Sequence, residues 1–105
     1  MDNPVLVVLC NCPDLDTARR LAEQAVERRL AACVNIIPAV ESVYRWQGKV
    51  ERESESTLLI KTSTKAFDTL RDALQAMHPD ELPEIIAVPV SAGLTGYLDW
   101  VREST

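Results

Sequence analysis

Three side chains carry donor chemistry at positions that a fold could gather: Cys10, Met77 and His78. Thiolate, thioether and imidazole make a soft ligand set, suited to Cu(I). Cys10 closes an apolar run, and Met77-His78 closes an amphipathic one, just before Pro79. Each residue also has a plainer explanation. Met77 completes the apolar stripe of a helix. A histidine at a helix end can satisfy the last carbonyls and the helix dipole. A thiol is often a small buried hydrophobe, and Cys33, between Ala32 and Val34, reads that way. Cys10-x-Cys12 lacks the spacing of a CxxC pair and has no second pair to join, so no zinc framework is expected. Glu51, Glu53 and Glu55 alternate and so share one face of a strand. They form either a solvated hairpin face or the rim of an intersubunit cleft.

Signatures of catalysis are absent. The chain has one histidine, and no GxSxG elbow, P-loop or GxGxxG motif. The expectation is a protein that is not an enzyme and has no organic cofactor.

The chain that must position these residues has 105 of them, one domain's worth over 1–105. It is 47% hydrophobic and 26% charged, the balance of an ordinary globular protein. A net charge of −5 argues against a general nucleic-acid binder. No apolar run approaches the roughly 20 residues that span a bilayer, so no membrane partner is expected. Met1-Asp2-Asn3-Pro4 lacks the basic start of a secretory signal. Three cysteines, an odd number, point to free thiols and a cytoplasmic location.

Residues 4–10 are a continuous apolar, β-branched run, which predicts a strand covered on both faces. Pro13 and Asp14 are punctuation, with Asp14 placed to cap a helix over 15–29. That helix has an apolar stripe of Ala18, Leu21, Ala22, Ala25 and Val26. A second strand over 30–38 follows, with a bend at Pro38. Residues 41–46 alternate, Gln47-Gly48 make a hairpin turn, and the return strand runs over 49–62. Ser63 or Thr64 caps a second helix with the stripe Phe67, Leu70, Leu74 and Met77. Pro79 stops it, because the residue before proline avoids the α region. Residues 84–90 predict an edge strand, since Pro89 cannot donate to a ladder. Thr95 is the expected cap of a short last helix.

The order β-α-β-β-α-β plus a terminal helix is that of an α+β, ferredoxin-like sandwich with both crossover helices on one face. Its central hairpin is far longer than ordinary strands and must project past the helices. Tyr44 and Trp46 near its tip would then be bare, and edge strands carry unpaired backbone groups. Burial against copies of itself resolves both, so a homo-oligomer is expected.

The blocks Leu30-Ala31-Ala32-Cys33-Val34-Asn35-Ile36-Ile37-Pro38, Ser42-Val43-Tyr44-Arg45-Trp46-Gln47-Gly48-Lys49-Val50-Glu51 and Leu59-Ile60-Lys61-Thr62 resemble the CutA divalent-cation-tolerance proteins. So do His78-Pro79, Pro83-Glu84-Ile85-Ile86 and Tyr97-Leu98-x-Trp100, and the likeness runs in order from about Val5 to Arg102. The resemblance implies a ferredoxin-like homotrimer in the cytoplasm, involved in tolerance to copper and other divalent cations. It implies a metal site at a cysteine ending the first strand and at paired histidines before a proline. Cys10 and His78 match those positions. Met77 stands where the other histidine would be, and Asp80 where an aromatic commonly follows the proline. Both are departures from the pattern. The family also resembles the PII signalling trimers. That implies an alternative, a small effector bound in a cleft between subunits, with Trp46, Glu55 and Lys61 as candidates. Lys61 lies among apolar residues, so an acidic partner is expected for it, and Glu55 is the candidate.

Overall fold

The computed structural model describes residues 2–105. The apolar run near the start forms β1 (Val5–Cys12). After it come α1 (Leu15–Glu27), β2 (Cys33–Trp46), β3 (Lys49–Ser63), α2 (Thr64–Met77), β4 (Ile85–Pro89) and α3 (Thr95–Glu103). The strands form one antiparallel sheet in the order β2-β3-β1-β4. This is the expected ferredoxin-like arrangement. It places β1 in the interior, as its unbroken apolar run requires.

β1 ends two residues later than expected. Asn11 and Cys12 are ladder residues opposite Thr57 and Ser56, not punctuation. Pairing with β3 decides this, a tertiary effect that local composition does not report. Pro13 then ends the strand. Asp14 caps α1, its carboxylate accepting the Thr17 N–H at 2.7 Å. That hydrogen bond holds the Asp14 carboxyl below its ordinary range.

α1 ends at Glu27, earlier than expected. Arg29 then turns with a φ of 59°, the left-handed conformation that closes many helices. Leu30 and Ala31 both donate to the Ala25 carbonyl, so these residues finish the helix and do not begin β2. Val26, expected on the buried stripe, is exposed at its edge, because the drift of the stripe carries it off the sheet.

β2 is one strand with a bulge. Ile37 faces Thr57 and Val40 faces Glu55, so two residues of β2 oppose Ser56 alone. Pro38, which lacks an N–H, and Ala39, at a φ of 58°, form the bulge. α2 has Ser63 at its N-cap position without a side-chain cap bond. Instead Asn3 Oδ1 accepts the Lys65 N–H at 2.8 Å, and Ser63 Oγ accepts the Thr105 hydroxyl at 2.8 Å. Thr95 lies inside α3, and Leu94 is at the cap position.

The core lies between the sheet and the two crossover helices. Val8, Cys10, Cys12, Leu58 and Ile60 meet Ala18, Leu21, Ala25, Leu70 and Leu74 there, all of them buried. The β2–β3 ribbon runs past this core, and Val43, Tyr44, Trp46 and Val50 on it are exposed. The resulting shape is elongated, 44 × 26 × 22 Å.

Candidate metal centre

β1 alternates in and out, so Cys10 and Cys12 point to the same face, into the core under the helices. Both are buried. The chain reaches the same spot again at the C-terminal end of α2. Pro79 forces His78 out of the helix, and it adopts extended backbone with ψ 136°. Its ring swings into the protein, and no part of the side chain is exposed. The donor atoms of Cys10, Cys12 and His78 all lie within 4.8 Å of one another.

The imidazole is held on both sides. Nδ1 accepts the Asp80 N–H at 3.0 Å, which puts the ring proton on Nε2, and Nε2–H donates to the Asn11 carbonyl at 2.7 Å. Asn11 is itself fixed. Its side-chain carbonyl accepts the Thr57 hydroxyl at 2.6 Å, and its amide donates to Glu84 at 3.3 Å. The residue between the two cysteines therefore orients the histidine.

The thiols are unequal. Cys10 S–H donates to the Cys12 sulfur, so Cys12 loses its proton first and its pKa is lowered. The same bond, then burial, then the negative charges of Cys12, Glu84 and Asp80 push the Cys10 thiol up. All three cysteines of the chain are free.

Cys10 and His78, nominated from sequence, converge. Met77 packs against the core, and its carbonyl accepts from Arg20 at 3.3 Å. Cys12 was missed. Its signal was the period of two along a strand, which sets residues i and i+2 side by side.

Trp46 and Glu55 line a neighbouring cleft of about 900 Å³, together with Asn11, Tyr44 and Asp80. Glu51, Glu53, Glu81 and Glu84 line it too, so six carboxylates face one opening. Lys61 is not among its lining residues. Its ammonium donates to Asn35 Oδ1 on β2, which corrects the expected pairing with Glu55. Lys61 and Glu55 are six residues apart on one strand, about 20 Å at 3.3 Å per residue, too far for an ion pair.

The donor chemistry fits a soft metal. Two thiols and an imidazole are ligands for Cu(I) or Zn(II), and the imidazole ligates at the cost of one hydrogen bond. The profile of the CutA1 divalent ion tolerance protein family matches residues 6–104. The chain belongs to the CutA1 divalent ion tolerance family. The divalent-cation tolerance protein CutA of Thermus thermophilus is 50% identical over 99 residues, 94% of this chain and 96% of that one. The solved structure of that CutA1 superposes with a TM-score of 0.94, covering 96% of this chain and 98% of the other. A CutA from Archaeoglobus fulgidus, described as periplasmic, is 38% identical with a TM-score of 0.92, over 95% and 97% of the two chains. The chloroplastic CutA of Arabidopsis thaliana is 42% identical over 102 residues, 97% of this chain, which spans 56% of that longer relative. CutA1 membership ties this chain to tolerance of divalent cations. Among the described residues, no helix is long and apolar enough to cross a membrane.

Proposed function

We propose that this CutA1 chain contributes to metal tolerance by binding copper, without catalysing a reaction, as a cytoplasmic homotrimer. Cys10 and His78 are its first ligands. The observation that carries this reading is their convergence. A thiol and an imidazole 68 positions apart in the chain meet in the buried interior, the imidazole held by the Asn11 carbonyl of β1. Thiolate ligation releases a proton, so affinity rises with pH as the thiols ionise. Free thiols suit a reducing compartment. The bare ribbon, with Val43, Tyr44, Trp46 and Val50 in solvent, supports association of copies.

The test is anaerobic competition titration of the reduced protein with Cu(I), Cu(II) and Zn(II). The expected result is one copper ion per chain, with most of that affinity lost in the Cys10→Ser, His78→Ala double variant. A double variant that binds as tightly as the parent removes the assignment.

A further inference from the structure

We propose that Cys12 is the second sulfur ligand of this centre, and that the Cys10–Cys12 pair makes it a clamp for a soft monovalent cation, Cu(I). The inference rests on the metal reading above and adds both the ligand and the kind of ion.

Four features lead there. The first is placement. Cys10 and Cys12 are adjacent on one face of an interior strand, both fully buried, with donor atoms within 4.8 Å of each other and of His78. Two metal–sulfur bonds of about 2.3 Å span roughly 4.6 Å when in line, so an ion bridges such a gap with little movement.

The second is what the strand prevents. Residues i and i+2 of an extended strand have Cα atoms about 6.6 Å apart, at the outer edge of the roughly 4.4–6.8 Å that a disulfide accepts. Their Cβ bonds are parallel and do not converge. Cys10 is held by ladder partners on both sides, Leu58 on β3 and Ile85 on β4, and Cys12 is paired with Ser56. Closing a disulfide would pucker the C-terminal end of β1 against its ladder with β3. The pair is spaced to chelate and held from coupling.

The third is coordination number. Zn(II) cancels the charge of two thiolates better than Cu(I) does, but it takes four ligands. Among the described residues, the cluster offers three donors. Cu(I) is satisfied with two or three.

The fourth is the polarity of the surroundings. Core side chains seal the pocket on the helix side, among them Val8, Leu58 and Leu74. That apolar shell favours soft sulfur ligation on the helix side, and the nearest carboxylate, Asp80, stands 3.9 Å from His78 Nδ1 on the other.

The experiment loads the reduced, full-length protein with Cu(I) under argon against bathocuproine disulfonate, and counts sulfur neighbours of the copper by X-ray absorption. The parent is expected to show two sulfurs per copper and to prefer Cu(I) over Zn(II). Cys12→Ala is expected to weaken Cu(I) by at least about 100-fold, more than the loss of an outer-sphere partner would give. Cys12→Ser serves as the near-isosteric second variant if the alanine packs badly, and the sulfur count on the parent needs no variant at all. One sulfur per copper, with Cys12→Ala binding as the parent does, overturns the clamp and leaves the Cys10–His78 site standing. Tight four-coordinate Zn(II) in the parent overturns the choice of ion. Copper retained by both Cys10→Ala and Cys12→Ala places it elsewhere and removes the metal reading together with the clamp.

Discussion

The two halves of β3 live in different solvents. From Ser56 to Ser63 the strand alternates between buried and half-buried positions, with Leu58, Ile60 and Thr62 fully enclosed. From Lys49 to Glu55 it is charged and mostly exposed, and its apolar Val50 is bare. One strand with one register thus serves two purposes. The inner half carries the fold, because it lies beneath α1 and α2 and beside the thiol pair. The outer half adds little to the folded protomer. Its apolar side chains and its unpaired edge are of use only to something that lands on them. Stability and association are therefore separable along this ribbon, and single substitutions can pull them apart.

The largest effect belongs to the inner half. Leu58→Ala empties a fully buried site in the core. It is expected to cost about 3 kcal/mol, the transfer and cavity terms together. Urea unfolding followed by circular dichroism reads it, and a cost below about 1 kcal/mol would break the division. Next is the outer half. Trp46→Ala truncates the largest apolar side chain near the tip. It is expected to weaken self-association by about 2 kcal/mol, the scale of an aromatic interface anchor, with the protomer's circular dichroism unchanged. Sedimentation velocity at low micromolar concentration measures this. An unchanged profile means that the ribbon is not the interface.

The smallest effect is electrostatic. Tyr44 sits opposite Glu51 at the tip, and a hydrogen bond to Glu53, then partial desolvation, then the charges of Glu53, Glu55 and Glu51 raise its pKa to about 12. Glu53→Gln is expected to bring the phenol back toward its ordinary 10.0, read by ultraviolet absorbance on alkaline titration. Tyr97 also titrates late, through burial and the neighbouring Cys33, and serves as an internal reference that this substitution leaves alone. If Tyr44 titrates unchanged, the tip is not as crowded with charge as the exposed half of β3 implies.

The same contrast explains what was legible in the sequence. Element order, the interior position of β1, the Asp14 cap and the long hairpin follow from periodicity and from where proline and glycine fall. These are local properties of the chain. The parts missed are pairwise. Nothing local in Asn11-Cys12 says that β3 extends far enough to pair with them. Nothing in Lys61 says that Asn35 lies across the ladder. The ring of His78 is fixed by the Asn11 carbonyl, a backbone atom that every residue carries and that no motif can show. Of the three ligands nominated from sequence, Cys10 and His78 meet in the candidate centre, and Met77 packs against the core. Cys12 becomes visible only when the strand is known to run through it.

β1 is made first, yet its neighbours are β3 and β4, from the middle and the far end of the chain. At roughly 5–20 residues per second, the segment Val5–Cys12 waits about 4–15 s on the ribosome before Pro89 is synthesised to complete its second edge. During that wait an apolar strand with two nucleophilic sulfurs is unprotected. A substitution that delays β3 or β4 is therefore expected to show itself as lost soluble yield during synthesis, even where the finished protein is as stable as the parent.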